Sequence, residues 1–355
     1  MSRRLESFFR TTYKCMGTDA QVTPPARVSA VIVNWNGEHH LRICLPSLLE
    51  QNHQLLEILV VDNASTDDSS LVASEFGAKW VPLERNAGLA PALNRGARMA
   101  SGEFLLFVNN DMRFDPDFVK ALLEPLLNDA HAFASDGLQY DWHGSKAVHL
   151  ATRLAKSRPL HDSTVEFVPE LFFYPQAVST PTSVFMGSAA GMLIRQSAFR
   201  ELGGFDDRLP LGYEDTEICW RAATLGWKTV FVPGAICWHH VGASSRSREG
   251  ARFNSRGILI GRLVLATKLL PARYVLLTWL VSCAGLLKDV GRLQWHFAKD
   301  RLGVLFKVAF LLPQLIKERV ALFRSAGIAP EGQLDRFLQL TLEGASSVKG
   351  CAAEK

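Results

Sequence analysis

Short apolar runs alternate with longer stretches at helical spacing through the first 130 residues, and that alternation predicts the architecture. Val28–Asn34 is a near-continuous apolar run, as expected of a parallel strand buried on both faces. Leu41, Leu45, Leu48 and Leu49 then recur at helical spacing and predict a helix over Glu38–Gln51. Further strands are expected at Glu57–Val61, Lys79–Leu83 and Phe104–Val108, with a helix carrying Asn94 and Arg95 after the Asn86–Ala90 loop. Four such strand–helix units predict an α/β fold, a doubly wound sheet whose ligand loops gather at one edge. Downstream, Met192–Ile194 reads as a short strand. Ile218, Ala222 and Leu225 predict a helix over Glu214–Leu225 that stops at Gly226. Lys228–Val232 and Ala235–Trp238 read as two strands broken by Pro233-Gly234. Asp141–Gln176 shows no clear period.

Composition adds a second theme. With 355 residues and 48% hydrophobic content the chain has room for one large or two ordinary globular domains. The six cysteines are scattered without a Cys-x-x-Cys, which argues against a zinc site or a disulfide framework and fits a reducing cytoplasm. Met1–Ala26 carries Arg3, Arg4, Arg10 and Lys14 but no apolar core, so a mobile tail is expected rather than a secretory signal. The net charge of +4 conceals an asymmetry: Arg246–Arg324 holds fifteen Lys or Arg against four acids, a net of +11, and leaves −7 for the remainder. The same segment holds the apolar runs Tyr274–Leu287 and Leu302–Leu312, each shorter than the roughly 20 residues that a spanning helix needs. Interleaved bases and short apolar runs point to helices lying on an anionic membrane surface. A helical subdomain with a solvated basic face is the simpler alternative. No nucleic-acid-binding motif accompanies the charge.

Candidate chemistry sits at the strand ends. The first strand closes in Asn34-Trp35-Asn36-Gly37, which lacks the Gly-x-Gly-x-x-Gly of a dinucleotide fold. Asp62 lies where α/β folds bind ligands and suits a ribose or base donor, whereas Ser65, Thr66 or Asp67 serves as the cap of the next helix. Between Gly212 and His240 an acidic cluster opens a helix and two histidines close a strand. If that strand returns beside the helix start, carboxylates and imidazoles share a pocket, an arrangement suited to a base next to a metal ligand. Acids in a first turn also complement the helix dipole, and Glu217 has Arg221 at i, i+4 as its partner.

Seven motifs in order resemble one family. They are Val31–Gly37, Val60–Asp67, Asn86–Ala90, Asn109-Asn110-Asp111, Gly203-Gly204-Phe205-Asp206, Glu214-Asp215-Thr216-Glu217 and Trp238-His239-His240. Together they resemble the family 2 inverting glycosyltransferases of the GT-A fold, in particular bacterial rhamnosyltransferase-like members, over about Val28–Ser245. The resemblance implies a GT-A mixed sheet flanked by helices at 27–245, preceded by a tail at 1–26. A basic, apolar, membrane-associating helical segment follows at 246–325, and a C-terminal tail at 326–355.

It further implies a nucleotide-sugar donor, dTDP-rhamnose being favoured and a UDP-hexose remaining open. The expected acceptor is a lipid-linked saccharide or nascent polysaccharide at the cytoplasmic face of the cell membrane. A divalent cation, Mn²⁺ or Mg²⁺, is expected to neutralise the departing diphosphate. In place of the family's Asp-x-Asp this chain keeps one carboxylate, so Asp111 is the implied metal ligand, with Asn109 or Asn110 toward the ribose or phosphate. His239 is the implied second ligand, or His240 if the strand register differs by one. Asp215 is the implied base and Glu214 orients the acceptor. Asn34, Asn36, Asp62, Asn86, Asn94, Asn109, Asn110 and Arg246 complete the implied donor site. Arg246 or Arg248 folds over the diphosphate, unless that loop is a plain linker. Gly187–Gly191 is implied to flank both sugars, a tight packing turn being the equal alternative, and Asp206 to lie near the acceptor. A processive synthase is disfavoured by the absence of Gln-x-x-Arg-Trp, and a nucleotidylyltransferase by the absence of a Gly-rich, Lys-containing loop after the first strand. The missing first acid leaves a catalytically silent sugar-binding scaffold as the alternative; Asp111, Asp215 and His239 stand against it.

Overall fold

The computed structural model describes residues 25–159, 164–209, 212–240 and 248–351. Its centre is a ten-stranded mixed sheet. The first strand, β1 (Val28–Asn34), lies between β2 (Glu57–Asp62) and β4 (Phe104–Asn109), parallel to both, and β3 (Lys79–Pro82) extends the β2 side. Period-2 alternation divides these strands between two cores. Ala30, Ile32, Val60, Leu106 and Val108 face α1 (Glu38–Leu49), α2 (Ser69–Glu75) and α4 (Phe118–Asn128). Val31, Leu59, Val61, Leu105 and Phe107 face α3 (Leu89–Met99), α5 (Gln196–Glu201) and α6 (Glu214–Thr224). Burial on both faces is why these strands read as continuous apolar runs, and the doubly wound sheet is as the pattern predicts.

Beyond β4 the sheet turns mixed. β12 (Gly191–Arg195) runs antiparallel to β4 and to β6 (Ala132–Asp141), and β13 (Lys228–His239) runs parallel to β6. The short β5 (Met112–Phe114), β7 (Ala147–His149) and β11 (Thr182–Val184) add antiparallel to β13, β6 and β13 respectively. Two expectations change here. Lys228–His239 is one strand rather than two, because Pro233-Gly234 falls in a bulge between Val232 and Ile236 that absorbs the missing N–H while pairing with β6 resumes beyond it. The stretch without a period, 141–176, is also strand-rich: after β7 come β8 (Ala151–Ala155), β9 (Val165–Val168) and β10 (Leu171–Gln176), an antiparallel sheet in the order β8-β10-β9. Leu154, Phe167, Val168 and Leu171 are fully buried there against the helices that follow.

Those helices are α7 (Arg248–Leu269), α8 (Ala272–Gly291), α9 (Trp295–Ala326) and α10 (Pro330–Cys351). They pack on the catalytic half: Leu265, Leu269, Tyr274, Leu334 and Phe337 share a core with Phe185 and Trp220, and Leu263, Val264, Val304 and Val308 share another with Leu209. Apolar run length is a poor guide to helix length here. The Tyr274–Leu287 run lies in a 20-residue helix, long and apolar enough to cross a membrane by length and composition, contrary to the shorter expectation. Arg273, Lys288 and Asp289 carry that helix past the run at both ends.

Three acids and three bases, largely buried, fasten the two halves together. Lys268 of α7 reaches Asp206 at 2.7 Å and Glu217 of α6 at 2.5 Å; Arg221 binds Glu217 at 2.7 Å; Arg208 binds Asp206 at 2.5 Å and Glu318 of α9 at 2.6 Å. Charges so enclosed require pairing, and this cluster is neutral as a set. Asp206 is therefore part of the fastening between halves, with Arg208 and Lys268 on its carboxylate, rather than facing an acceptor.

Candidate active site

Four loops meet at the carboxyl ends of β1, β2 and β4 and at the ends of β6 and β13. Ser65 is the hub of the first group. Its hydroxyl accepts from the Asn36 N–H (2.8 Å) and the Asn34 amide (3.2 Å) and donates to the Asp62 carboxylate, which also accepts the Ser65 N–H (3.0 Å). Asn36, in a left-handed conformation (φ 49°), accepts the Thr66 N–H at 2.7 Å. The Asn34 side-chain oxygen Oδ1 accepts the Asn110 amide at 2.7 Å. Gly37 is required for that last bond, since a Cβ there would lie 2.0 Å from Asn110 Nδ2. Asn34, Asn36, Asp62 and Asn110 thus form one hydrogen-bonded network at the strand ends. Asn63 ties in the next loop, accepting the Ala87 N–H at 2.9 Å and donating to the Gly88 carbonyl at 3.2 Å. Asn86 is exposed at its tip and accepts the Gly88 N–H at 3.1 Å.

The implied cation ligands come together. His239 Nε2 lies 3.3 Å from Asp111 Oδ1, while His239 Nδ1 is 3.3 Å from the Gln139 side-chain oxygen Oε1. In the tautomer in which Nδ1 donates to Gln139, the Nε2 lone pair turns toward Asp111, the outer-partner arrangement of a metal-binding histidine. The sheet sets the register: β13 pairs with β5, with His239 opposite Met112, and the His240 N–H donates to the Asp111 carbonyl at 2.9 Å. His240 is instead stacked on Trp142 (5.6 Å) and edge-on to His40 (5.7 Å). Burial, with His39 alongside, holds the His40 pKa below the ordinary value. One carboxylate and one imidazole suit a cation that draws its remaining ligands from a diphosphate. Among the described residues no group of three or more His, Cys, Asp or Glu side chains gathers to hold it alone. Asn109 contributes backbone, its N–H donating to the Ala190 carbonyl at 3.2 Å, and its side chain is half-buried.

The acidic cluster lies at the start of α6, reached through Gly212 (φ 82°) and Tyr213 (φ 69°), both left-handed. Glu214 is buried, and its Oε2 has no hydrogen-bond partner. Burial, reinforced by the neighbouring Asp215, pushes the Glu214 pKa up to about 8, so it carries its proton at neutrality. Burial raises Asp215 as well, opposed by the Thr216 N–H (2.6 Å) and hydroxyl (3.2 Å), by the charge of His149 and by the Ala189 N–H. A proton-bearing acid beside a carboxylate held by donors is the arrangement of a hydrogen-bond donor next to a base. The remaining acid of the turn is the ion-paired partner of Arg221 that the i, i+4 spacing predicts.

One implied donor residue does not join this network. Asn94 is buried on α3 with its amide fully occupied by the 203–207 loop, donating to the Phe205 carbonyl (2.8 Å) and Asp207 (2.6 Å) and accepting the Phe205 N–H (2.9 Å). Arg246 lies outside the described residues. Conversely, Ser65, Gln139, Asp136 and His149 stand at the site without having been singled out. Ser65 was legible only as a helix cap, and the other three lie on β6 and β7, where no spacing marks them.

A protein-family model described as glycosyl transferase family 2 matches residues 29–203. An N-acetylglucosaminyl-diphospho-decaprenol L-rhamnosyltransferase of Mycobacterium tuberculosis is 30% identical over 242 residues, 62% of this chain and 78% of that protein. Among solved structures, a mannosyltransferase from Pyrobaculum calidifontis in complex with GDP-Man and Mn²⁺ superposes with a TM-score of 0.51 at 16% identity, over 86% of this chain and 87% of its own. GalNAc-T7 with UDP, GalNAc and Mn²⁺ superposes with a TM-score of 0.54 at 19% identity, over 70% of this chain, which spans about half (49%) of that longer one. At such identities the two structures speak for the fold. With the relative matched over most of its length and the motifs falling at the strand ends where this fold binds ligands, the chain belongs to glycosyl transferase family 2 and has the GT-A fold.

Proposed function

We propose that the protein transfers a single sugar, with inversion, from a nucleotide-sugar donor to a lipid-linked saccharide. L-Rhamnose from dTDP-rhamnose is the favoured donor. The observation that carries this reading is the similarity to the M. tuberculosis rhamnosyltransferase over 62% of this chain and 78% of that protein. The site geometry supports it. The Asn34–Asn36–Asp62–Asn110 network suits the nucleoside. Asp111 and His239 would hold the divalent cation, which supplies charge neutralisation for the leaving diphosphate. Asp215 takes the proton of the acceptor hydroxyl as that oxygen bonds to the anomeric carbon and the bond to the diphosphate breaks. Glu214, neutral and with its Oε2 free of hydrogen bonds, donates to the acceptor sugar and orients it. The test is a panel of nucleotide sugars with Mn²⁺ and a polyprenyl-diphosphate-GlcNAc acceptor. Nucleoside diphosphate release is expected with dTDP-rhamnose. Release with a UDP-hexose alone reassigns the donor, and no release with any donor overturns the transferase reading.

A lipid acceptor requires the enzyme at a membrane, and α8 and α9 supply a face for it. Leu276, Leu280, Leu287, Trp295, Phe306 and Phe310 are exposed there, Phe310 by 87%. Only 22% of the apolar window of α8 is buried against the protein. The acids of this region turn inward: Asp289 binds Arg301 at 2.8 Å, Asp300 binds Arg256, and Glu318 joins the Arg208–Lys268 cluster. Among the described residues Lys288, Arg292, Lys299 and Lys307 are exposed and make no ion pair, so an apolar face rimmed by cations remains. That combination fits the surface of an anionic bilayer. Replacing Phe306 and Phe310 together by Glu is expected to weaken sedimentation with phosphatidylglycerol vesicles by at least about tenfold. Undiminished sedimentation removes the membrane role from this face.

A further inference from the structure

Asp136 is a fully buried carboxylate in the middle of β6 that the proposed reaction does not use. It receives three donors: the Gly137 N–H at 2.8 Å, the Ser188 N–H at 3.0 Å and His149 Nε2 at 2.5 Å. His149 ends β7, in register with Gln139 of β6, and its side chain is 15% exposed. The loop holding Ser188 serves a second carboxylate. The next amide, Ala189 N–H, donates to Asp215, so adjacent N–H groups clamp Asp136 and Asp215 on two sides of one turn. Gly187 is pressed against this arrangement, since a Cβ there would lie 3.0 Å from the Asp136 Cβ and 2.9 Å from Met192 Sδ. The Gly-Ser-Ala-Ala-Gly stretch, which packing or ligand approach explained equally well in the sequence, thereby has a definite task.

Charged groups face His149 from two elements: Asp136 from β6 and Asp215 from α6, with the Phe231 ring of β13 6.1 Å away as an apolar wall. Asp215 in turn faces His149 and its own neighbour Glu214. We propose that Asp136 and His149 form a positioning pair for Asp215: the buried carboxylate holds the imidazole in its charged form, and that positive charge keeps the desolvated Asp215 ionised and able to accept the acceptor's proton. The proposal rests on Asp215 being the base. The physical requirement is plain: a carboxylate removed from water beside a second acid drifts toward its neutral, useless form, and a nearby cation reverses that drift. Consistent with this, the two carboxylates raise the His149 pKa above the ordinary imidazole value despite burial, and His149 lowers that of Asp215.

The experiment is the pH profile of transfer, measured as nucleoside diphosphate release, for the wild type, His149→Gln, His149→Arg and Asp136→Asn, with Asp215→Asn as the control for the base. In His149→Gln the acidic limb is expected to move up by about one pH unit, with a larger rate loss at pH 6 than at pH 8.5. His149→Arg restores the charge and is expected to return the limb toward the wild-type position. Asp136→Asn is expected to move it in the same direction as His149→Gln; because Asp136 is fully enclosed, His149→Gln carries the test if that variant does not fold. A rate loss equal at all pH values, or an arginine variant no better than glutamine, overturns the pair's electrostatic role. Full turnover in Asp215→Asn overturns the base assignment itself, which is a separate result.

Discussion

Asp215→Asn is expected to lower transfer about 10³-fold at neutral pH while donor affinity, measured by calorimetry with Mn²⁺ present, stays within about twofold. The asparagine is nearly isosteric, and its carbonyl oxygen can keep the Thr216 N–H bond at 2.6 Å, so the start of α6 is preserved and what is lost is the capacity to bind a proton. Loss of donor binding together with rate would mark Asp215 as a donor ligand instead. The pH dependence has a definite sign. Activity rises as Asp215 loses its proton, through a value that burial places above the ordinary aspartate range. It falls again as Glu214 loses its own proton near its elevated value of about 8, because the second carboxylate charge repels Asp215 and can no longer donate to the acceptor. Glu214→Gln, which cannot ionise, is expected to remove that alkaline fall.

Lys268→Met is expected to cost about 3–5 kcal/mol of stability in chemical denaturation. The methionine fills similar volume, but Asp206 and Glu217 are left with one cation fewer, and the Lys268, Asp206 and Glu217 side chains are only 6%, 5% and 0% exposed, so little solvent screens them. A loss below about 1 kcal/mol would show that Arg208 and Arg221 suffice. The linkage follows from the shifts. Hydrogen bonds from Arg208 and the Lys268 charge hold Asp206 well below the ordinary carboxylate range, and Arg221 and Lys268 hold Glu217 down, both against the opposing effect of burial. Depressed folded values contribute stability that is present above the unfolded values near 4 and lost as pH falls through the folded ones. The wild type should therefore weaken on acidification below about pH 4. Lys268→Met, whose acids are less depressed, should lose less over that window, so the gap between the two narrows in acid. The burial-opposed rise in the Lys268 value contributes stability below its unfolded value near 10.4, lost only at more alkaline pH.

The same cluster connects stability to function. Glu217 belongs to the turn that carries Asp215, and Lys268 belongs to the helix that two residues separate from α8. Gly261 of α7 also lies under Tyr213, where a Cβ would come within 2.5 Å of its ring, and Arg262 meets the Tyr213 hydroxyl at 3.2 Å. Tyr213 in its left-handed conformation is the residue that delivers Glu214 and Asp215 to the candidate site. The C-terminal helices are thus part of what holds the acidic turn in place.

Sequence alone determined the parallel half of the fold, because burial on both faces imposes continuous apolar runs on β1, β2 and β4 and a fixed helical period between them. It also determined which residue types stand at the strand ends, since Asp62, Asp111, Asp215 and His239 each follow or open an element whose limits the pattern marks. Tertiary structure decided everything that depends on which strands become neighbours. The single strand through Pro233-Gly234 is visible only once β6 is seen to resume pairing beyond the bulge. The choice between His239 and His240 at Asp111 follows from a register shared with β5, and a one-residue slip would exchange them. Asn94 and Asp206 carry polar groups suited to ligands, yet contacts across more than fifty residues commit them to the protein's own loops and helices. Asp136 and His149 sit thirteen residues apart, one in an apolar strand and the other in a stretch without a period. Only the β6–β7 hairpin and the folded 187–190 loop bring that pair to Asp215, because local pattern records burial and period, whereas proximity between distant side chains is set by how the sheet closes.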